Sequence, residues 1–204
     1  MGGRAGGSGT GFGSRRGGGG KLGRTERGMS RTLAKNIVAA EYGIKNNPYE
    51  TLVAFDENGN EVYRVKGQRY SVRYNGRMTT DKFVTHNHPR SLGKTGVASF
   101  GNSMSPNDLK GMVAYNQAGL RAVSPNRTYS MRRPKSGWGV SYPVFARKLS
   151  SIQSSVTKAD RAFLKSYKGD KSVAVARLNA TYWHRVNKKV AKTYGWEYTS
   201  KKNK

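Results

Sequence analysis

The sequence predicts an α+β protein, a mixed sheet flanked by helices, with a Gly/Arg-rich arm before it and a helical extension after it. Three observations carry that expectation. Residues 1–28 are low in complexity and almost devoid of apolar side chains. Residues 49–88 and 120–132 hold short β-branched and aromatic runs broken by turn chemistry. The stretches 30–43, 105–119 and 157–195 carry helix starts, stops and apolar spacing near 3.6 residues instead.

The arm comes first. So many glycines cost too much backbone entropy for so little apolar surface, so 1–28 is expected to be a disordered tether. Arg4, Arg15, Arg16, Lys21, Arg24 and Arg27 make it basic. Ser30 reads as the N-cap of a helix through Ala40 that Gly43 stops. Residues 49–55 then form a strand candidate, 56–60 (DENGN) a turn, and 61–65 the returning strand of a hairpin. The turn is not a calcium loop, because Glu61 stands where that loop needs Gly. Alternation over Gln68–Tyr74 predicts a further strand, followed by a turn at Asn75-Gly76. Lys82–Thr85 is a short strand leading into His86-Asn87-His88-Pro89.

A Gly- and Ser-rich loop follows, and Ser105-Pro106-Asn107-Asp108 opens a helix expected to reach Gly119. Strands at 120–124 and 128–132 come next. Thr157 and Asp160 read as a capping box for a helix to Lys168. Ala176, Ala180, Trp183, Val186, Val190 and Tyr194 form a helical stripe closed by Gly195. Residues 200–204 read as a basic tail. Trp138, Trp183 and Trp196 are expected to be packing residues, and His184 structural or exposed.

Composition narrows the chemistry. Lys and Arg number 38 against 11 carboxylates, a net charge of +27, which draws polyanions without sequence preference. Non-specific nucleic acid held by the arm and tail is therefore an expected partner. There is no cysteine, which excludes disulfides, thiolate nucleophiles and Cys-ligated zinc, so a metal site must use His and carboxylates. No apolar stretch reaches membrane-spanning length and none resembles a signal-peptide core, so a soluble cytoplasmic protein with no membrane partner is expected.

Of three histidines, two stand at i and i+2. In extended backbone both imidazoles point to the same side, where they can share one ion. Pro89 cannot donate to a sheet ladder, so the pair falls at a strand end. The Ser105 start fixes Asp108 in the first helical turn, which needs no function but also aims a carboxylate at a nearby cation.

In chain order, Glu50, His86, His88, Ser105 and Asp108 resemble the JAB/JAMM metalloprotease motif: an early Glu, His-x-His, then Ser-x-x-Asp. The likeness covers roughly residues 48–133, and His-Asn-His-Pro is similar to its prokaryotic branch, which includes phage and mobile-element proteins. The spacer between His88 and Ser105 is longer than the family's, and Arg90–Met104 is expected to form a loop beside the metal. The resemblance implies a cytidine-deaminase-like fold for 29–140, with 141–199 as the helical extension. It implies Zn2+ on His86, His88 and Asp108, Glu50 as general base, and Ser105 as oxyanion donor. Glu41 and Glu61 are the weaker candidates for the base. The activity implied is that of a zinc peptidase or isopeptidase, in a bacterial host cell or virion; the basic charge of the chain would suit an acidic protein or peptide substrate.

Two other classes compete. One is a non-catalytic nucleic-acid-binding or virion structural protein on a degenerate JAB-like scaffold. The other is a metal-dependent nuclease, although nuclease motifs spelled His-Asn-His disperse those residues along the chain. Gly93-Lys94-Thr95 ends like a phosphate-binding loop, but His88 stands where the first Gly belongs.

Overall fold

The hydroxyl of Ser30 accepts the Leu33 N–H at 3.1 Å, satisfying one of the donors a helix start leaves open, and α1 (Arg31–Ile44) runs from there. The computed structural model describes residues 29–89 and 103–203. The expected arm, residues 90–102 of the expected loop with Gly93-Lys94-Thr95, and Lys204 lie outside the described residues. α1 passes through Gly43 to Ile44, because burying the Ile44 side chain outweighs the modest cost of an internal glycine.

β1 (Thr51–Phe55) and β2 (Glu61–Lys66) form the expected antiparallel hairpin. The Asp56 carboxylate accepts both the backbone and side-chain N–H of Asn60. Gly59 has φ +91°, and a Cβ there would lie 2.9 Å from the Leu33 Cα, so only glycine lets this turn sit against α1. β3 (Phe83–Asn87) pairs antiparallel with β1 and parallel with β4 (Gly119–Val123). A parallel pair needs a crossover, and α2 (Pro106–Ala114) lies on it. β5 (Arg127–Arg132) and β6 (Glu197–Lys202) complete a six-stranded mixed sheet of order β2-β1-β3-β4-β5-β6. α3 (Tyr142–Ser166) and α4 (Lys171–Tyr194) are the remaining α-helices among the described residues.

Strand alternation divides the interior in two. Leu52, Ala54, Val84, Leu120, Ala122 and Met131 face a core shared with α2, α3 and α4. Val53, Phe55 and Val123 face a smaller core under α1. The fold is therefore α+β, with four α-helices on a mixed sheet among the described residues, α1 on one face and the other three on the opposite face.

Several local expectations change. Gln68–Tyr74 is not a strand: Gln68 N–H donates to the Ser71 carbonyl at 2.7 Å, folding the segment back. Its alternation arises because Val72 and Tyr74 pack on the larger core while Ser71 and Arg73 stay exposed. α2 ends at Ala114, where Asn116 turns to φ +48°, and Gly119 opens β4 instead. Thr157 and Asp160 lie inside α3, not at its start; they bind Tyr182 and Arg185 of α4. Ser200–Lys202, read as tail, belong to β6, and Asn203 donates to the Ser124 carbonyl at 2.7 Å. Ala176 and Ala180 are exposed, so the α4 stripe meets the core only in its second half.

Candidate metal centre

Sheet register builds the site. Leu52 of β1 pairs with His86 of β3, and the same register continued sets Glu50 opposite His88. Residues paired across strands and those two apart share a face, so Glu50, His86 and His88 look to the same side. Glu50 precedes β1 and is held by the ladder's extension: its N–H donates to Gln68 and its carbonyl accepts from Gly67. His88 N–H donates to the Val123 carbonyl at 2.8 Å, the last rung before Pro89. α2 starts across the same strand end. The Ser105 hydroxyl accepts the Asp108 N–H at 3.2 Å, and Asp108 Oδ2 accepts the Ser105 N–H at 2.7 Å. This reciprocal cap points the Asp108 carboxylate back toward the histidines.

The three side chains meet. His86 Nε2 and His88 Nε2 are 2.9 Å apart, and Asp108 Oδ2 lies 3.4 Å from the first and 3.6 Å from the second. Ligand bonds of about 2.0–2.1 Å in a tetrahedral zinc site place neighbouring ligand atoms about 3.3–3.4 Å apart. The observed triangle brackets that spacing. His86, His88 and Asp108 thus form a group that can hold a metal ion, with a donor set compatible with Zn2+. Of the two His86 ring nitrogens, Nε2 is the one aimed at the cluster, since it is the atom that approaches both His88 Nε2 and Asp108 Oδ2.

Electrostatics follow from this proximity. Burial pushes the Asp108 carboxyl up, but the His86 and His88 imidazoles outweigh it and hold it well below the usual carboxylate range. For His86, burial works against protonation, yet Asp108, assisted by Glu50, leaves its pKa above that of an ordinary imidazole. Glu50 is raised, mainly by burial and further by Asp108, with His86 and His88 pulling the other way. All five sequence-derived residues line one cleft of about 330 Å³. The other two carboxylates do not. Glu41 lies on the opposite face of the sheet, bound by Arg121 at 2.6 Å and Thr85 at 2.9 Å. Glu61 pairs with Arg64 on exposed β2.

Several contributors were invisible in the sequence. Tyr70, Val72 and Tyr74 form a cleft wall from the segment expected to be a strand, and Trp183 of α4 adds another. Asn87 points away from the histidines. Its Oδ1 accepts the Thr51 N–H at 2.7 Å and its Nδ2 donates to the Tyr49 carbonyl at 3.0 Å, clamping both sides of Glu50. Asn187 of α4 donates to Ser103 Oγ at 2.8 Å and the Met104 carbonyl at 3.0 Å, fixing the chain just before Ser105. Strand alternation could have placed Asn87 opposite its neighbours, but no local signal names residues 49–51 as its partners. His184 is structural, bonded to Tyr198 at 2.9 Å, and Trp138 and Trp196 pack together in the core.

No family model matches the chain, and neither does any curated protein or solved structure.

Proposed function

We propose that this chain is a zinc-dependent peptidase or isopeptidase of the JAB/JAMM type. The observation supporting it most strongly is the convergence of two imidazoles and one carboxylate at a strand end, with a second carboxyl group, that of Glu50, in the same cleft. Zinc bound there would supply an acidified water and Lewis-acid polarisation of the scissile carbonyl. Glu50 takes the proton of the attacking water and returns it to the leaving amine, and burial raises its pKa in the direction that favours holding that proton. Ser105 Oγ accepts from Asp108 N–H, which leaves the hydroxyl proton to donate to the developing oxyanion. Asn87 holds the backbone on either side of Glu50, through the Thr51 N–H and the Tyr49 carbonyl.

An acidic protein or peptide is the proposed substrate. The described cleft wall contains no Lys or Arg, so this part of the proposal is supported by the chain's net charge of +27, with exposed Arg69 and Arg73 adjacent in sequence to wall residues Tyr70, Val72 and Tyr74. A second reading, a nucleic-acid-binding or virion structural protein that does not hydrolyse anything, is favoured by the net charge of +27. A phage-related protein working in a bacterial cytoplasm or virion is compatible with either.

Turnover separates them. Zinc-loaded protein is assayed against fluorogenic peptides and lysine-linked isopeptides bearing acidic residues. The first reading expects cleavage by wild type, and Glu50→Gln retaining zinc while losing about 10²- to 10⁴-fold in rate. Equal rates in the two proteins would remove Glu50 from the chemistry, and no cleavage by wild type would favour the second reading.

A further inference from the structure

α3 buries one side and presents the other. Phe145, Leu149, Ile152 and Val156 lie in the larger core. On the opposite side, Arg147, Ser151, Ser154, Lys158, Arg161 and Lys165 recur at intervals of three and four residues, and every one of them is exposed. At 1.5 Å per residue this row extends about 27 Å along a straight helix. It contains no carboxylate. Asp160, the only acidic residue of α3, is engaged on the flank by Arg185 of α4. Lys189 of α4 reaches across to donate to Ser155 Oγ at 2.7 Å, adding an ammonium group beside the row.

We propose that this outer face of α3 binds the phosphate backbone of a nucleic acid. Guanidinium, ammonium and hydroxyl groups are the donors that bind phosphate oxygens, and here they follow one another on a rigid scaffold without intervening acid. The row spans about eight base pairs at the 3.4 Å rise of a duplex strand. A lipid surface fits less well, because a helix lying in a membrane needs a broad apolar face beside its charges, and Phe145, Leu149, Ile152 and Val156 are taken up by the core, leaving Tyr142, Val144 and Phe163 as the exposed large apolar side chains of α3. The inference does not rest on the metal-centre reading: the row shares no residue with the cleft.

Fluorescence anisotropy of the full chain with a labelled duplex of about 30 base pairs, titrated at several salt concentrations, tests it. Replacing Arg147, Lys158, Arg161 and Lys165 by Gln is expected to make the slope of log K against log salt shallower by about 3–4, near 0.9 for each phosphate no longer neutralised. A control with Arg31, Lys35, Arg77 and Lys135 replaced by Gln has the same net charge and exposed positions elsewhere, and its slope is expected to stay within about one of wild type. The milder pair Arg161→Gln, Lys165→Gln should give about half the full effect, which guards against a folding defect in the quadruple variant. Asp108→Ala should bind the duplex as wild type does. Equal reductions in the two quadruple variants, or none in the α3 variant, would overturn the proposal. So would loss of binding to vesicles rich in phosphatidylserine with duplex binding intact.

Discussion

Asn87 sits between two candidate metal ligands yet faces away from them, with its amide engaged by the backbone on both sides of Glu50. Replacing it by Ala leaves the buried Thr51 N–H and Tyr49 carbonyl without their partner, a cost of about 1–3 kcal/mol. Asn87→Ala should therefore keep its zinc, lower the urea midpoint and slow turnover through a displaced Glu50. Zinc loss with unchanged stability would refute this role. The same cluster sets a pH dependence. His86 must shed its proton to bind metal, and its pKa in the metal-free protein is raised, whereas Asp108 stays ionised because its pKa is depressed. Zinc affinity should thus weaken as pH falls through the raised His86 pKa, by about tenfold per pH unit for one displaced proton, starting above the range of an ordinary imidazole. Competition titrations between about pH 8 and pH 6 measure it, and a flat profile across that window would contradict it.

At the level of elements, the hairpin, the strand before His86, the Ser105 start of α2 and the strand pair after it were all legible, because each is written in local turn, cap or alternation chemistry. What escaped was decided by partners distant in sequence. Gln68–Tyr74 alternates like a strand but becomes a cleft wall, folded back by the hydrogen bond from Gln68 N–H to the Ser71 carbonyl and held by the packing of Val72 and Tyr74 on the larger core. Thr157 and Asp160 look like a helix start, yet their partners are Tyr182 and Arg185. The candidate site was readable as a set of residue types; Asn87, Asn187 and Trp183 were not, because only the sheet register and the α4 packing bring them there. The α1 face supplies a prediction of its own. Glu41 and Arg121 are bound side chain to side chain at 2.6 and 3.0 Å in a largely buried setting between α1 and β4. Glu41→Ala removes the carboxylate that binds the Arg121 guanidinium and should cost up to about 3–5 kcal/mol in urea unfolding, while zinc content in the folded protein is unchanged. A change below about 1 kcal/mol would mean that the pair behaves like an exposed one.

Across the whole molecule, the sheet separates tasks. Its α1 face carries a compact apolar core and the Glu41–Arg121 pair; its other face carries the larger core, with the His86–His88–Asp108 cluster at one strand end and the exposed row of α3 on the outside. The C-terminal helices share the core with the sheet, and α4 and β6 reach the candidate site through Asn187 and Tyr198, which hold Ser103. The net charge of +27 and the cleft are then separable features: one acts over long distances and weakens with salt, the other depends on ångström-scale convergence. Among the described residues no helix is long and apolar enough to cross a membrane. The central claim is that His86, His88 and Asp108 bind one cation together. Metal analysis by mass spectrometry after dialysis against limiting zinc tests it directly: about one zinc per wild-type chain, and almost none for Asp108→Ala. Zinc content that is negligible in wild type, or the same in both proteins, would contradict it.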